Sequence, residues 1–129
     1  MDNAEQKFEK AFEFSKVGDL DKAIEILKAI SRKDGAEYYA KAQILLGITL
    51  RRQGKVDEAI EVYSNVSRKV NAEAYATAQL FLGIIFKMQG KINRAINSYR
   101  NVRRNDNVQH YAMAQVKLGI VLEEQSNID

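Results

Sequence analysis

Few residues of this 129-residue chain could act on a reacting bond. The single histidine, His110, is the one side chain whose ordinary proton affinity suits transfer near neutral pH. A catalytic histidine needs partners of fixed geometry, and its counterparts in the other copies, Tyr38 and Ala74, are not acid, base or metal-ligand equivalents, so it reads as a solvated residue at a helix start. Asp57-Glu58 and Glu123-Glu124 are adjacent carboxylates. On a helix, neighbours point about 100° apart, so neither pair forms an acid/base couple. Cysteine is absent, which removes disulfides, thiolate nucleophiles and cysteine-ligated zinc. No enzyme, cofactor or metal site is expected. The remaining polar feature is a basic cluster, Lys91, Arg94, Arg100, Arg103 and Arg104, which could meet an acidic partner or phosphates.

The elements that must position these residues are helical. At average usage of about 5% the chain would hold roughly six prolines; it holds none, and seven glycines. Those glycines recur. Gly18, Gly54 and Gly90 are 36 residues apart, as are Gly47, Gly83 and Gly119. The same step relates Tyr39, Tyr75 and Tyr111, then Ala23, Ala59 and Ala95, then Leu46, Leu82 and Leu118. Without gaps, Ala42–Thr77 and Ala78–Met113 share 17 of 36 residues, which defines an internal repeat. Copies cover about 6–41, 42–77 and 78–113, followed by half a copy, a capping helix over 114–125 and a tail over 126–129.

Apolar spacing inside a copy is helical and falls on two stripes, so each copy is two helices. The first runs from about Glu37 or Ala72 to about Gln53 or Gln89 and stops at Gly54 or Gly90, where glycine takes the left-handed conformation that closes a helix. The second spans Val56 to Arg68 and Ile92 to Arg104. Gly35, Asn71 and Asn107 share the boundary between copies, with asparagine suited to cap the next helix. A mid-helix glycine costs about 1 kcal/mol against alanine, and close approach of the two helices of a hairpin would offset it. Gly47 is expected to face Ala59 and Gly83 to face Ala95, with Ala11 opposite Ala23 in the first copy.

The pattern Leu46-Gly47, Gly54, Ala59-Ile60, Tyr63 and its echo Leu82-Gly83, Gly90, Ala95-Ile96, Tyr99 resembles the tetratricopeptide repeat family across essentially the whole chain. A Sel1-type repeat would place a longer insert between Leu-Gly and the following alanine, and none is present. Three features depart from the family: a period of 36 where 34 is usual, no proline near the end of the second helix, and Gln43, Gln79 and Gln115 where a large aromatic is common. Tyr39, Tyr75 and Tyr111, one turn upstream, are expected to supply the missing bulk.

The resemblance implies an all-α fold, a right-handed superhelical α-solenoid of antiparallel helix pairs with three hairpins and a C-terminal capping helix. It also implies a concave groove lined by the first helices. On the family template Phe8, Phe12, Ile44, Ile48, Leu80, Ile84, Val116 and Ile120 face that groove. One turn further stand Arg51, Arg52, Lys87 and Met88, giving it a basic edge. Carboxylate-clamp members carry lysine and asparagine where this chain has Ile44 and Ile48, so it is not of that kind.

The function implied is a non-enzymatic adaptor that binds another protein, as a peptide segment or amphipathic helix with apolar anchors and some acidic residues. Alternatives are self-association as a homodimer, through the groove or the C-terminal helix, and contact with nucleic acid or an acidic partner through the third copy. That copy has six bases to one acid, but no aromatic platform accompanies them, which ranks nucleic acid low. The opening MDNAEQKFEK has no signal-peptide pattern and no apolar run approaches a membrane span, so a cytoplasmic protein is expected.

Overall fold

The computed structural model describes residues 2–127, and its described residues are helical throughout apart from turns. Seven α-helices follow in order: α1 (Ala4–Lys16), α2 (Leu20–Lys28), α3 (Ala36–Arg52), α4 (Val56–Ser64), α5 (Ala72–Met88), α6 (Ile92–Asn101) and α7 (Val108–Ser126). A short 3₁₀ turn, Arg32–Asp34, precedes α3. The chain divides into two compact units, Met1–Val66 and Ser67–Asp129.

Each hairpin is made by the same turn. At the end of α3 the Gly54 N–H donates to the Arg51 carbonyl and the Lys55 N–H to the Leu50 carbonyl, both at 2.9 Å. Gly54 itself sits at φ 83°, which satisfies orphan carbonyls of the last helical turn and reverses the chain. Gly90 repeats the arrangement after α5 at φ 76°, with Lys91 N–H donating to Phe86 at 2.8 Å. The second helix starts two residues later, too soon for anything but an antiparallel pair.

Asn71 and Asn107 cap α5 and α7, each side-chain oxygen accepting a backbone N–H three residues on at 2.9 Å. Both have extended backbone, φ −161° and −171°, so only Gly35 at that boundary uses positive φ, at 113°.

Packing departs from the sequence reading in three places. Gly47 does not have Ala59 as its nearest neighbour: a Cβ there would lie 2.3 Å from Cε1 of Tyr63, and one on Gly83 would lie 2.3 Å from Cε1 of Tyr99. The turn brings the residue sixteen positions on, not twelve, level with the glycine. In the first copy Ala11 and Leu27 stand at those positions, both fully buried.

The second helices are also shorter than expected. α4 ends at Ser64 and α6 at Asn101, because Val66 and Val102 turn inward into the core and the chain behind Val102 is already extended, at ψ 120°. The half copy is longer: α7 begins at Val108, since the 114 boundary of the ungapped frame falls inside a helix. Of the expected tail, Ser126 closes α7 and Asn127 caps it; residues 128 and 129 lie outside the described residues.

Candidate functional site

In the first unit, α1 and α3 carry the expected groove residues Phe8, Phe12, Ile44 and Ile48. Phe12 is exposed, and Phe8, Ile44 and Ile48 are half-buried. The Phe8 ring tilts against Tyr38 at 6.1 Å between centroids, so part of its face is spent inside the unit.

The basic edge of this unit is partly committed to structure. Arg52 donates from its guanidinium to the Ser15 carbonyl at 2.8 Å and to Ser15 Oγ at 3.0 Å. Thr49 Oγ1 donates to the Leu45 carbonyl at 2.7 Å, which leaves Ser15 to donate to Thr49 across 3.3 Å. Ser15 and Thr49 are buried, and the chain of bonds satisfies them. Arg52 is thus a clasp between α1 and α3. Burial raises the Tyr63 hydroxyl above its ordinary value, with the Arg51 charge opposing.

In the second unit the expected set separates. Leu80 is buried at 3% exposure and is core, not groove, because it fills the interior of the α5 pairings. Ile84 is half-buried, while Val116 is 63% and Ile120 45% exposed. Ile84, Lys87, Met88, Lys117 and Ile120 line one recess, floored by Tyr99. At its rim Lys87 pairs with Glu124 at 3.2 Å, an exposed pair of small energetic weight.

The basic cluster is not one helical face. Only Arg94 and Arg100 lie on α6; Lys91 precedes it, and Arg103 and Arg104 fall in the turn that the early helix end creates. Arg94 lies over the Phe86 ring at 5.6 Å, and the Arg103 N–H donates to Asp106 at 2.9 Å.

Sequence reasoning missed the hub of this unit. Arg68 forks onto Asp106 at 2.8 and 3.1 Å, donates to the Asn101 carbonyl at 2.7 Å and covers the Tyr75 ring at 4.3 Å. In the first unit Arg32 lies over Tyr39 at 5.5 Å. The signal was available, for Arg32, Arg68 and Arg104 share the 36-residue step of the tyrosines. Tyr39 and Tyr75 are therefore platforms for arginine.

His110 is not solvated as expected: Nε2 meets Thr77 Oγ1 at 2.9 Å and Nδ1 meets Asn107 Oδ1 at 2.6 Å. It ties the start of α7 to α5. A cleft of about 930 Å³ between α1 and α2, lined by Lys7, Lys10, Phe14, Lys22, Glu25 and Ile26 among others, also escaped the sequence reading. Among the described residues no three His, Asp or Glu side chains gather as a metal site, and no helix is long and apolar enough to cross a membrane.

Recurrent antiparallel helix pairs, each closed by a glycine turn and keyed by a ring against a glycine or its alanine-and-leucine equivalent, define a helical-hairpin repeat protein of the α-solenoid class. A tetratricopeptide repeat model matches residues 8–66 and 45–90. The chain belongs to the tetratricopeptide repeat family. No curated protein matches it. Repeats of this family generally mediate protein–protein interaction and scaffolding.

Proposed function

We propose that the chain is a non-enzymatic adaptor that holds a peptide or amphipathic helix of a partner protein on the apolar faces of its first helices. The observation that carries this reading is the recess of the second unit. There Ile84, Met88 and Ile120 line the same recess as Lys87 and Lys117. Apolar anchors beside two lysines, Lys117 and the Glu124-paired Lys87, suit a segment that pairs aliphatic side chains with carboxylates. Phe12 and Ile48 offer similar apolar surface in the first unit.

The basic third copy supports a nucleic-acid reading less well, since Arg94 is laid over Phe86 and Arg103 and Arg104 lie off the helix.

Peptides selected from a display library against the whole chain provide the test. Ile84→Glu and Ile120→Glu should each weaken a selected peptide by roughly tenfold or more, the scale of a lost central anchor, at unchanged melting temperature. Equal affinity for wild type and both variants would overturn the reading.

A further inference from the structure

The outer side of α7 repeats, position by position and with leucine in place of one phenylalanine, the surface that α5 buries under α6. On α5 that surface is Ala76, Gln79, Gly83 and Phe86, all buried. Gly83 lies under the Tyr99 ring, Gln79 Oε1 accepts a hydrogen bond from Asn101 at 3.0 Å, and Phe86 lies under Arg94. The corresponding residues of α7, one repeat on, are Ala112, Gln115, Gly119 and Leu122, all exposed. Val108 extends the stripe at 60% exposure. A Cβ added to Gly119 would meet nothing within 4 Å, where one on Gly83 collides with a ring. Gly119 therefore concedes helix propensity with no packing among the described residues to offset it. This stripe is distinct from the recess side of the helix, which Ile120 and Lys117 occupy.

We propose that this face of α7 docks one helix of a partner protein, and that the partner helix has the chemistry of α4 and α6. The repeat shows twice what covers a Leu-Gly face: an alanine that is fully buried, Ala59 or Ala95, followed four residues later by a tyrosine that is 1% exposed, Tyr63 or Tyr99. The occupant is thus an amphipathic helix with a small residue, an aromatic ring four positions on to fill the space above Gly119, and an amide two positions after the ring to meet Gln115. Antiparallel docking brings its N-terminal half beside Glu123, which is exposed, so a basic residue there, as Arg94 precedes Ala95, completes the match. A second copy of the chain offers no such helix without unfolding, because its own tyrosines are buried against Gly47 and Gly83.

The probe is a synthetic peptide with the sequence of residues 91–102, stapled between the positions of Asn93 and Asn97, which are exposed on α6. It is titrated into the ¹⁵N-labelled chain. Amide shifts should concentrate on Ala112, Gln115, Gly119 and Leu122, and a peptide with alanine for its tyrosine should not produce them. Gly119→Ala is the decisive variant. It should raise the melting temperature, since it adds helix propensity in open space, and yet weaken the peptide by roughly tenfold or more through overlap with the ring. Full affinity of Gly119→Ala, or of the alanine peptide, overturns the proposal. So does a stable dimer in sedimentation whose formation Gly119→Ala abolishes, for the occupant would then be a second copy.

Discussion

Gly47 and the Tyr63 ring exclude any larger neighbour from each other's position: one added methyl would stand 2.3 Å from Cε1 of a side chain that is 1% exposed. The ring cannot retreat into a filled core. Gly47→Ala and Gly83→Ala should therefore each destabilise the chain by about 2 kcal/mol net, overpacking outweighing the gain of about 1 kcal/mol in propensity. Thermal unfolding followed by circular dichroism should show Tm lowered by roughly 4 °C per kcal/mol. A mutant that melts with the parent would mean that the glycines serve something other than the rings.

Much of this was legible in the sequence. The 36-residue step located every hairpin, and the glycine turns fixed where first helices stop, because positive φ is a local property of the residue. What was not legible depended on geometry across elements. Ala59 and Tyr63 both lie on the inward stripe of α4, and only the pivot at Gly54-Lys55 decides which meets Gly47. The early ends of α4 and α6 follow from Val66 and Val102 turning into the core, a tertiary effect that helical periodicity does not encode. Among the site residues, Leu80 and Val116 share a repeat position yet are 3% and 63% exposed, because exposure is set by the helices packed around a position and not by the residue type that occupies it.

Asp106 should make the stability of the second unit depend on acid. Its side chain is 3% exposed. Burial by itself raises the carboxyl, but the Arg68 guanidinium and the Arg103 N–H outweigh burial and hold it below its ordinary 3.8. The native state thus binds the proton less readily than the unfolded chain, so the contribution is complete above 3.8 and fades as pH falls through the lower native value. Urea midpoints measured from pH 7 to pH 2.5 should fall below about pH 4 in the wild type. Asp106→Asn should start lower by about 2 kcal/mol, the scale of hydrogen bonds to a charged group, and lose that part of the decline. Arg68→Lys should lose nearly as much, since an ammonium cannot fork onto both oxygens while covering Tyr75.

Arg52 should prove structural. The residue one repeat later is Met88, so Arg52→Met imports what the fold tolerates elsewhere while leaving the Ser15 carbonyl and hydroxyl without their donor. A loss of about 1 kcal/mol is expected, with no change in affinity for a peptide held in the Ile84–Ile120 recess of the other unit. A weakened peptide at unchanged stability would return Arg52 to the binding surface.

The two asparagine caps should differ in strength for a reason visible only in the structure. Asn71 accepts one N–H, from Ala74, whereas Asn107 accepts both the N–H and the ring Nδ1 of His110. Asn71→Ala should cost about 1 kcal/mol, the ordinary worth of a cap. Asn107→Ala should cost more, by roughly another 0.5–1 kcal/mol, because the imidazole loses the partner that aims its other nitrogen at Thr77. In a His110→Ala background the surplus should vanish and the two caps should become equal, a coupling that a double-mutant cycle of denaturation midpoints measures directly. Equal costs for both caps in the wild-type background would show that the Asn107–His110–Thr77 chain adds nothing to the start of α7.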